Sequence, residues 1–151
     1  MESKLKIAVL CYLGLFVIVQ GLSLEPKLLA KYEKCWTYSS CLSNGKDRRT
    51  VYECFEVLRP EELKSLYQTI QDFYKYKSKN FNDSLKEYCE LDDGKKSDVY
   101  AKSLDGAITY DKEVCADESK KGACTRVTEK FRCLLRNLDH LWQQGKCQVD
   151  A

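Results

Sequence analysis

The sequence predicts an all-α protein, a compact disulfide-stapled bundle of about five or six helices. Three observations predict it. Apolar residues recur at i, i+3, i+4 and i+7 in segments separated by turn signals, the spacing of one buried helix face. Eight cysteines follow a leader-like N-terminus, and an even count in a secreted chain implies four disulfides. The stretch from Ala123 to Gln144 carries the longest uninterrupted amphipathic pattern, with Cys115, Cys124, Cys133 and Cys147 on or beside it.

Met1 to Lys6 is a short polar start carrying Lys4 and Lys6, and Ile7 to Val19 is a run of 13 apolar residues. Small residues follow at Gly21 and Ser23. This is the layout of a secretory signal peptide over 1–23, cleaved after Ser23 or Gly21. The run is too short to span a bilayer, which takes ~20 residues, so no membrane span is expected. The remaining 24–151 form one domain of 128 residues, expected to be extracellular. Without Glu2, Lys4 and Lys6, the 25 basic and 23 acidic residues become 23 and 22. A nucleic-acid partner would call for a clear basic excess, and this chain has none.

Helix by helix, Pro26 suits a first helical position. Leu28, Tyr32, Cys35 and Trp36 set a first helix to about Leu42, closed by Asn44-Gly45. Val51, Cys54, Phe55 and Leu58 make one face of a second, which ends at Arg59 because a residue before proline leaves the helical region. Pro60-Glu61-Glu62 opens a third, its acids placed against the helix dipole. Leu63, Leu66, Tyr67, Ile70, Phe73 and Tyr74 form its core-facing stripe. Lys75 to Asn80, with Lys75, Lys77 and Lys79, reads as a mobile solvated turn. Asn82-Asp83-Ser84 is an N-glycosylation sequon in a loop, with Asn82 as the acceptor.

A short fourth helix covers about Asp83 to Leu91, with Leu85, Tyr88 and Cys89 inward. Asp92 to Lys96 reads as a polar break, and Ser97 or Asp98 as the next cap. Helix is expected on either side of Gly106, which weakens it. After a charged connection over Asp117–Gly122, the long helix turns Val127, Phe131, Leu134, Leu138, Leu141 and Trp142 to one face. It ends before Gly145 and would be ~33 Å long, enough to cross the domain.

The cysteines constrain the packing. Cys124 and Cys133 are nine residues apart, so at ~100° per residue they face opposite sides of one helix and staple it to two different neighbours. Cys35 and Cys41 cannot pair if both are helical. Cys35 and Cys54 lie about equally far from Gly45, which favours a Cys35–Cys54 bridge across that turn. The other disulfide cysteines, Cys41, Cys89, Cys115, Cys124, Cys133 and Cys147, keep their connectivity open.

Candidate chemistry is sparse. There is no Cys-x-x-Cys and one histidine, so zinc spacing is missing and neither metal nor cofactor is expected. His140, beside Asp139, is better read as a surface or half-buried structural residue than as a general base. Asp105-Gly106-Ala107-Ile108-Thr109 looks like the middle of a calcium loop, but Ala101, Ser103 and Lys112 occupy ligand positions that need oxygen donors of other kinds. Among so many acids a pair suited to glycosidase chemistry carries no signal. The chain is expected not to be an enzyme, and a secreted hydrolase is the third-ranked reading.

The spacing Cys115-(x8)-Cys124-(x8)-Cys133 resembles the end of arthropod odorant-binding proteins. The family's Cys-x3-Cys pair has no counterpart here, and two cysteines are additional. The resemblance implies a small secreted helical carrier with a hydrophobic cavity. The first functional expectation is accordingly a non-enzymatic carrier of a small hydrophobic ligand, held between helices by Tyr67, Ile70, Tyr74, Phe131, Leu134 and Leu138. The second is an extracellular effector, of the venom or glandular kind, acting on a protein target through its rigid surface.

Overall fold

A computed structural model of the chain describes residues 26–147, so the expected signal peptide lies outside the described residues. Helix α1 spans Pro26–Thr37 and runs on through one π turn, Tyr38–Leu42. Helix α2 spans Lys46–Glu53 and tightens into a 3-10 turn, Cys54–Val57. Helix α3 is Pro60–Phe73, α4 Phe81–Glu90 and α5 Asp93–Ala116. A 3-10 turn, Glu118–Lys120, leads into α6, Lys121–Gln143. No strand occurs among the described residues. The packed unit begins at Lys31.

Local chemistry sets the helix ends. Arg59 is extended (φ −69°, ψ 154°) before Pro60, which occupies the first turn of α3. Asn80 caps α4 by accepting from Asp83 N at 2.9 Å, and Asp92 caps α5 by accepting from Lys95 N at 2.9 Å. Gly145 takes φ +72° just after α6, the left-handed position that glycine fills without a Cβ penalty.

Helix forms on both sides of Gly106, as expected, and two other element expectations are corrected. Helix α5 runs unbroken for 24 residues through Gly106, one residue longer than the 23 of α6. The glycine is there for packing: a Cβ on Gly106 would lie 2.8 Å from Ile70 Cα, so its absence lets α3 and α5 close on each other. Their pairing is the most extensive in the fold. The stretch Asp92–Lys96 is the cap and first turn of α5, because Asp92 supplies the capping carboxylate ahead of Ser97 and Asp98. Phe73, placed on the α3 stripe by its spacing, is 40% exposed at the end of that helix.

An apolar cluster runs across the helices. Leu58, Leu66, Ile70, Tyr110, Val114 and Val127 form one buried cluster, joining α3, α5 and α6. Trp36 meets Phe55 edge-on and Phe55 meets Phe81 at a tilt, with ring centroids 6.1 and 4.8 Å apart, and these contacts tie α1, the 3-10 turn after α2 and α4 together.

Four disulfides staple this bundle: Cys35–Cys147, Cys41–Cys89, Cys54–Cys133 and Cys115–Cys124. Cys124 and Cys133 do reach two different neighbours, the end of α5 and the turn after α2. The favoured Cys35–Cys54 bridge is corrected. It assumed that α1 and α2 fold back symmetrically about Gly45. Instead α2 packs on the π turn and on α6, which puts Cys54 beside Cys133 and leaves Cys35 to meet Cys147.

Candidate functional site

The six residues expected to line a cavity fall in different surroundings. Ile70 belongs to the buried core cluster. Tyr67 is buried and its ring lies 6.4 Å from that of Tyr76, while half-buried Tyr74 meets Tyr76 edge-on at 4.7 Å. Phe131 and Leu138 are buried and Leu134 is half-buried on α6, the helix that packs on the 3-10 turn after α2 and on α5.

Tyr67 and Tyr74 take part in an anchor for the connection from α3 to α4. The Tyr67 hydroxyl donates to the Ser78 carbonyl at 2.6 Å. Gln71 grips the same segment from both ends of its amide: Oε1 accepts from Tyr76 N at 2.8 Å, and Nε2 donates to Ser78 O at 3.1 Å. Across the loop, Glu87 of α4 accepts from Lys77 N at 2.9 Å with one oxygen, and from Ser78 N and Ser78 Oγ at 2.9 and 2.7 Å with the other. The Tyr76 hydroxyl reaches Ser103 Oγ of α5 at 2.8 Å. Burial pushes the Tyr76 phenol up to about 12. Burial also acts to raise the Glu87 carboxyl, but the hydrogen bonds from Lys77 and Ser78 outweigh it and hold the group below its ordinary value. The segment read as a mobile turn is thus fastened at Tyr76, Lys77 and Ser78.

A second polar centre joins α1 to α6. Asp139 accepts from Lys31 Nζ at 2.6 Å and from the Tyr32 hydroxyl at 3.1 Å. Burial, followed by the charge of Asp139, lifts Tyr32 to about 12. The Lys31 ammonium also stands 5.2 Å from the Tyr32 ring centre and 5.9 Å from that of Trp142. Asp139 therefore faces α1, and its sequence neighbour His140 is exposed, with Nε2 3.0 Å from Gln144 Nε2. A concavity of about 600 Å³ runs along Arg132, Leu135, Arg136, Asn137, Asp139, His140 and Gln143, and none of the six expected cavity residues lines it.

Sequence reasoning missed two ion pairs inside the bundle. Lys130 is 2% exposed, and its Nζ lies 2.7 Å from Asp111 Oδ1 of α5. Burial lifts the Asp111 carboxyl, and the lysine draws it only part of the way back. Removing one partner of such a pair strands a buried charge, which typically costs ~3–5 kcal/mol. Glu62 on the first turn of α3 takes Arg126 of α6 through Nε at 2.8 Å and Nη2 at 2.7 Å. The available signal was Lys130 itself, a charge lying between Val127 and Leu134 on the apolar face of α6.

The calcium-loop look-alike at Asp105–Thr109 is plain helix within α5, which has no loop to wrap an ion. Among the described residues no group of three or more His, Cys, Asp or Glu side chains could hold a metal. No helix among them is long and apolar enough to cross a membrane. Asn82 is exposed in the first turn of α4, rather than in a loop, and Ser84 Oγ donates to the Phe81 carbonyl at 2.6 Å. No protein-family model, curated protein or solved structure matches this chain.

Proposed function

We propose that the protein is an extracellular, non-enzymatic binding protein that acts through its surface on another macromolecule. One observation carries this reading: residues expected to line an internal pocket are engaged in packing and anchoring. Ile70 closes against Gly106, and the Tyr67 hydroxyl is committed to the Ser78 carbonyl. The frame supports it too. Four disulfides persist in an oxidising compartment, and a rigid frame limits the ordering cost of association. The leader-like 1–23 and an acceptor at Asn82 fit the same route.

A fluorescent fatty-acid displacement assay on the oxidised protein tests it against the carrier reading. The expected result is no saturable probe uptake at micromolar protein. Saturable uptake, displaced by an apolar competitor and weakened by Tyr67→Ala or Phe131→Ala, would make the protein a carrier instead. Expression with residues 1–23 in a secretory host tests the compartment, the expected product being oxidised, processed protein in the medium.

A further inference from the structure

The connection between α3 and α4 carries the motif Lys75-Tyr76-Lys77-Ser78-Lys79, and burial alternates along it. Tyr74, Tyr76 and Ser78 are half-buried, whereas Lys75, Lys77 and Lys79 are exposed. Of the inward residues, Tyr76 and Ser78 are held by Gln71, Glu87, Tyr67 and Ser103, and Tyr74 packs edge-on against the Tyr76 ring. Three ammonium groups therefore project from one anchored segment. None of them makes a contact ion pair with a described residue, although Lys77 is near enough to Glu87 to help keep that carboxylate ionised. Both Glu87 oxygens already serve the loop backbone and Ser78 Oγ. Among nearby acids, Asp83 is tied to Asn80 Nδ2 at 2.8 Å, and Asp72 is exposed at the end of α3. Exposed Lys86 on α4 adds a cation to the same part of the chain.

The chain as a whole has a net charge of only +2, so a general field would not draw a polyanion to it. A local group of cations on an ordered segment can, because its lysines release the counterions of a polyanion without first losing backbone freedom. The anionic surface lipids that attract basic segments belong to the cytoplasmic leaflet. An extracellular protein meets its densest anionic charge in sulfated polysaccharide.

We propose that the anchored segment Tyr74–Asn80 is a docking surface for a sulfated polysaccharide, with Lys75, Lys77 and Lys79 contacting sulfate or carboxylate groups. The proposal rests on the extracellular reading above and names the partner of that surface. Heparin, immobilised and titrated with oxidised full-length protein before and after enzymatic deglycosylation, is the probe. Binding should weaken steeply with salt. The triple variant Lys75→Gln, Lys77→Gln, Lys79→Gln should lose at least about tenfold in affinity and lower the slope of log K against log salt by about two to three, one ion release per lost contact. A control triple of equal charge, Lys46→Gln, Lys64→Gln and Lys121→Gln, should stay within about twofold if position matters beyond net charge. Glu87→Ala tests the anchoring: it should weaken binding several-fold even though it removes a negative charge.

Heparin binding lost equally in both triples would overturn the proposal in favour of net charge alone. Tighter binding by Glu87→Ala would overturn the role of the anchor. Phosphatidylserine vesicles in place of heparin should not bind. Vesicle binding that falls with Phe73→Ala, the exposed aromatic beside these lysines, would assign the surface to membranes. Absence of heparin binding in a protein that is still secreted would reject this partner and leave the extracellular reading standing.

Discussion

Gly106 sits at a close approach of the backbones of α3 and α5, and its missing Cβ is the condition for that approach. Alanine in an ordinary helix interior gains up to ~1 kcal/mol over glycine. Here the new Cβ would meet Ile70 Cα at 2.8 Å and Phe73 Cδ2 at 3.2 Å. Backbone cannot step aside as a side chain can, so overpacking outweighs propensity. Gly106→Ala is expected to destabilise the protein by ~1–3 kcal/mol, seen as a lower urea midpoint with an unchanged m-value. A midpoint that rises would mean the helices part without cost. The same residue shows why part of the fold was hidden in the sequence. Glycine within an amphipathic segment signals either a weak point or a close approach, and only the neighbour's position distinguishes them. Lys130 repeats the lesson with charge: its place on the apolar face of α6 was visible, but its partner Asp111 lies 19 residues away on another helix.

Most elements were legible because they advertised their own ends; α5 was the exception, its first turn reading as a polar break. Pro60, the sequon region and Gly145 marked boundaries close to those observed, and the stripes of α3 and α6 were strong. The anchored loop between α3 and α4 was not legible, because its order comes from Gln71, Glu87 and Ser103, polar side chains that carry no periodic signal. That anchor has a pH dependence of definite sign. The folded Glu87 carboxyl lies below its unfolded value of ~4.3. Its contribution is therefore present above the unfolded pKa and is lost as pH falls through the lower folded one. Protection of the Lys77 and Ser78 amides from hydrogen exchange should fall as Glu87 takes up its proton in acid, while α3 and α5 amides stay protected. Glu87→Gln, which keeps one accepting oxygen in place of two, should lower the protection of those two amides and remove its dependence on pH. Asp111 runs the opposite way. Burial raises its folded pKa, so its contribution is present below the unfolded value and fades as pH rises through the folded one.

For the whole molecule, fold class and cysteine count followed from composition and spacing, but connectivity did not, because it depends on which helices become neighbours. The packing of α2 on the π turn and on α6 defeats the hairpin symmetry that favoured Cys35–Cys54. The observed bridges close loops of very different size, with separations of 112 residues for Cys35–Cys147 and 9 for Cys115–Cys124. In the chain-entropy account the first restrains the unfolded chain by ~4–5 kcal/mol and the second by ~2–3 kcal/mol. Paired Cys→Ala variants should therefore lower Tm in that order in calorimetry. Equal losses would point to native-state contacts rather than unfolded-chain entropy.

The Cys35–Cys147 bond, with Cα atoms 4.9 Å apart, also makes the intervening chain a covalent ring. A single proteolytic nick in the ring adds one water to the molecule's mass and releases nothing. Release of a fragment needs a second cut, and that cut must fall where no other crosslink spans the piece between. Such a molecule survives its first injury in one piece.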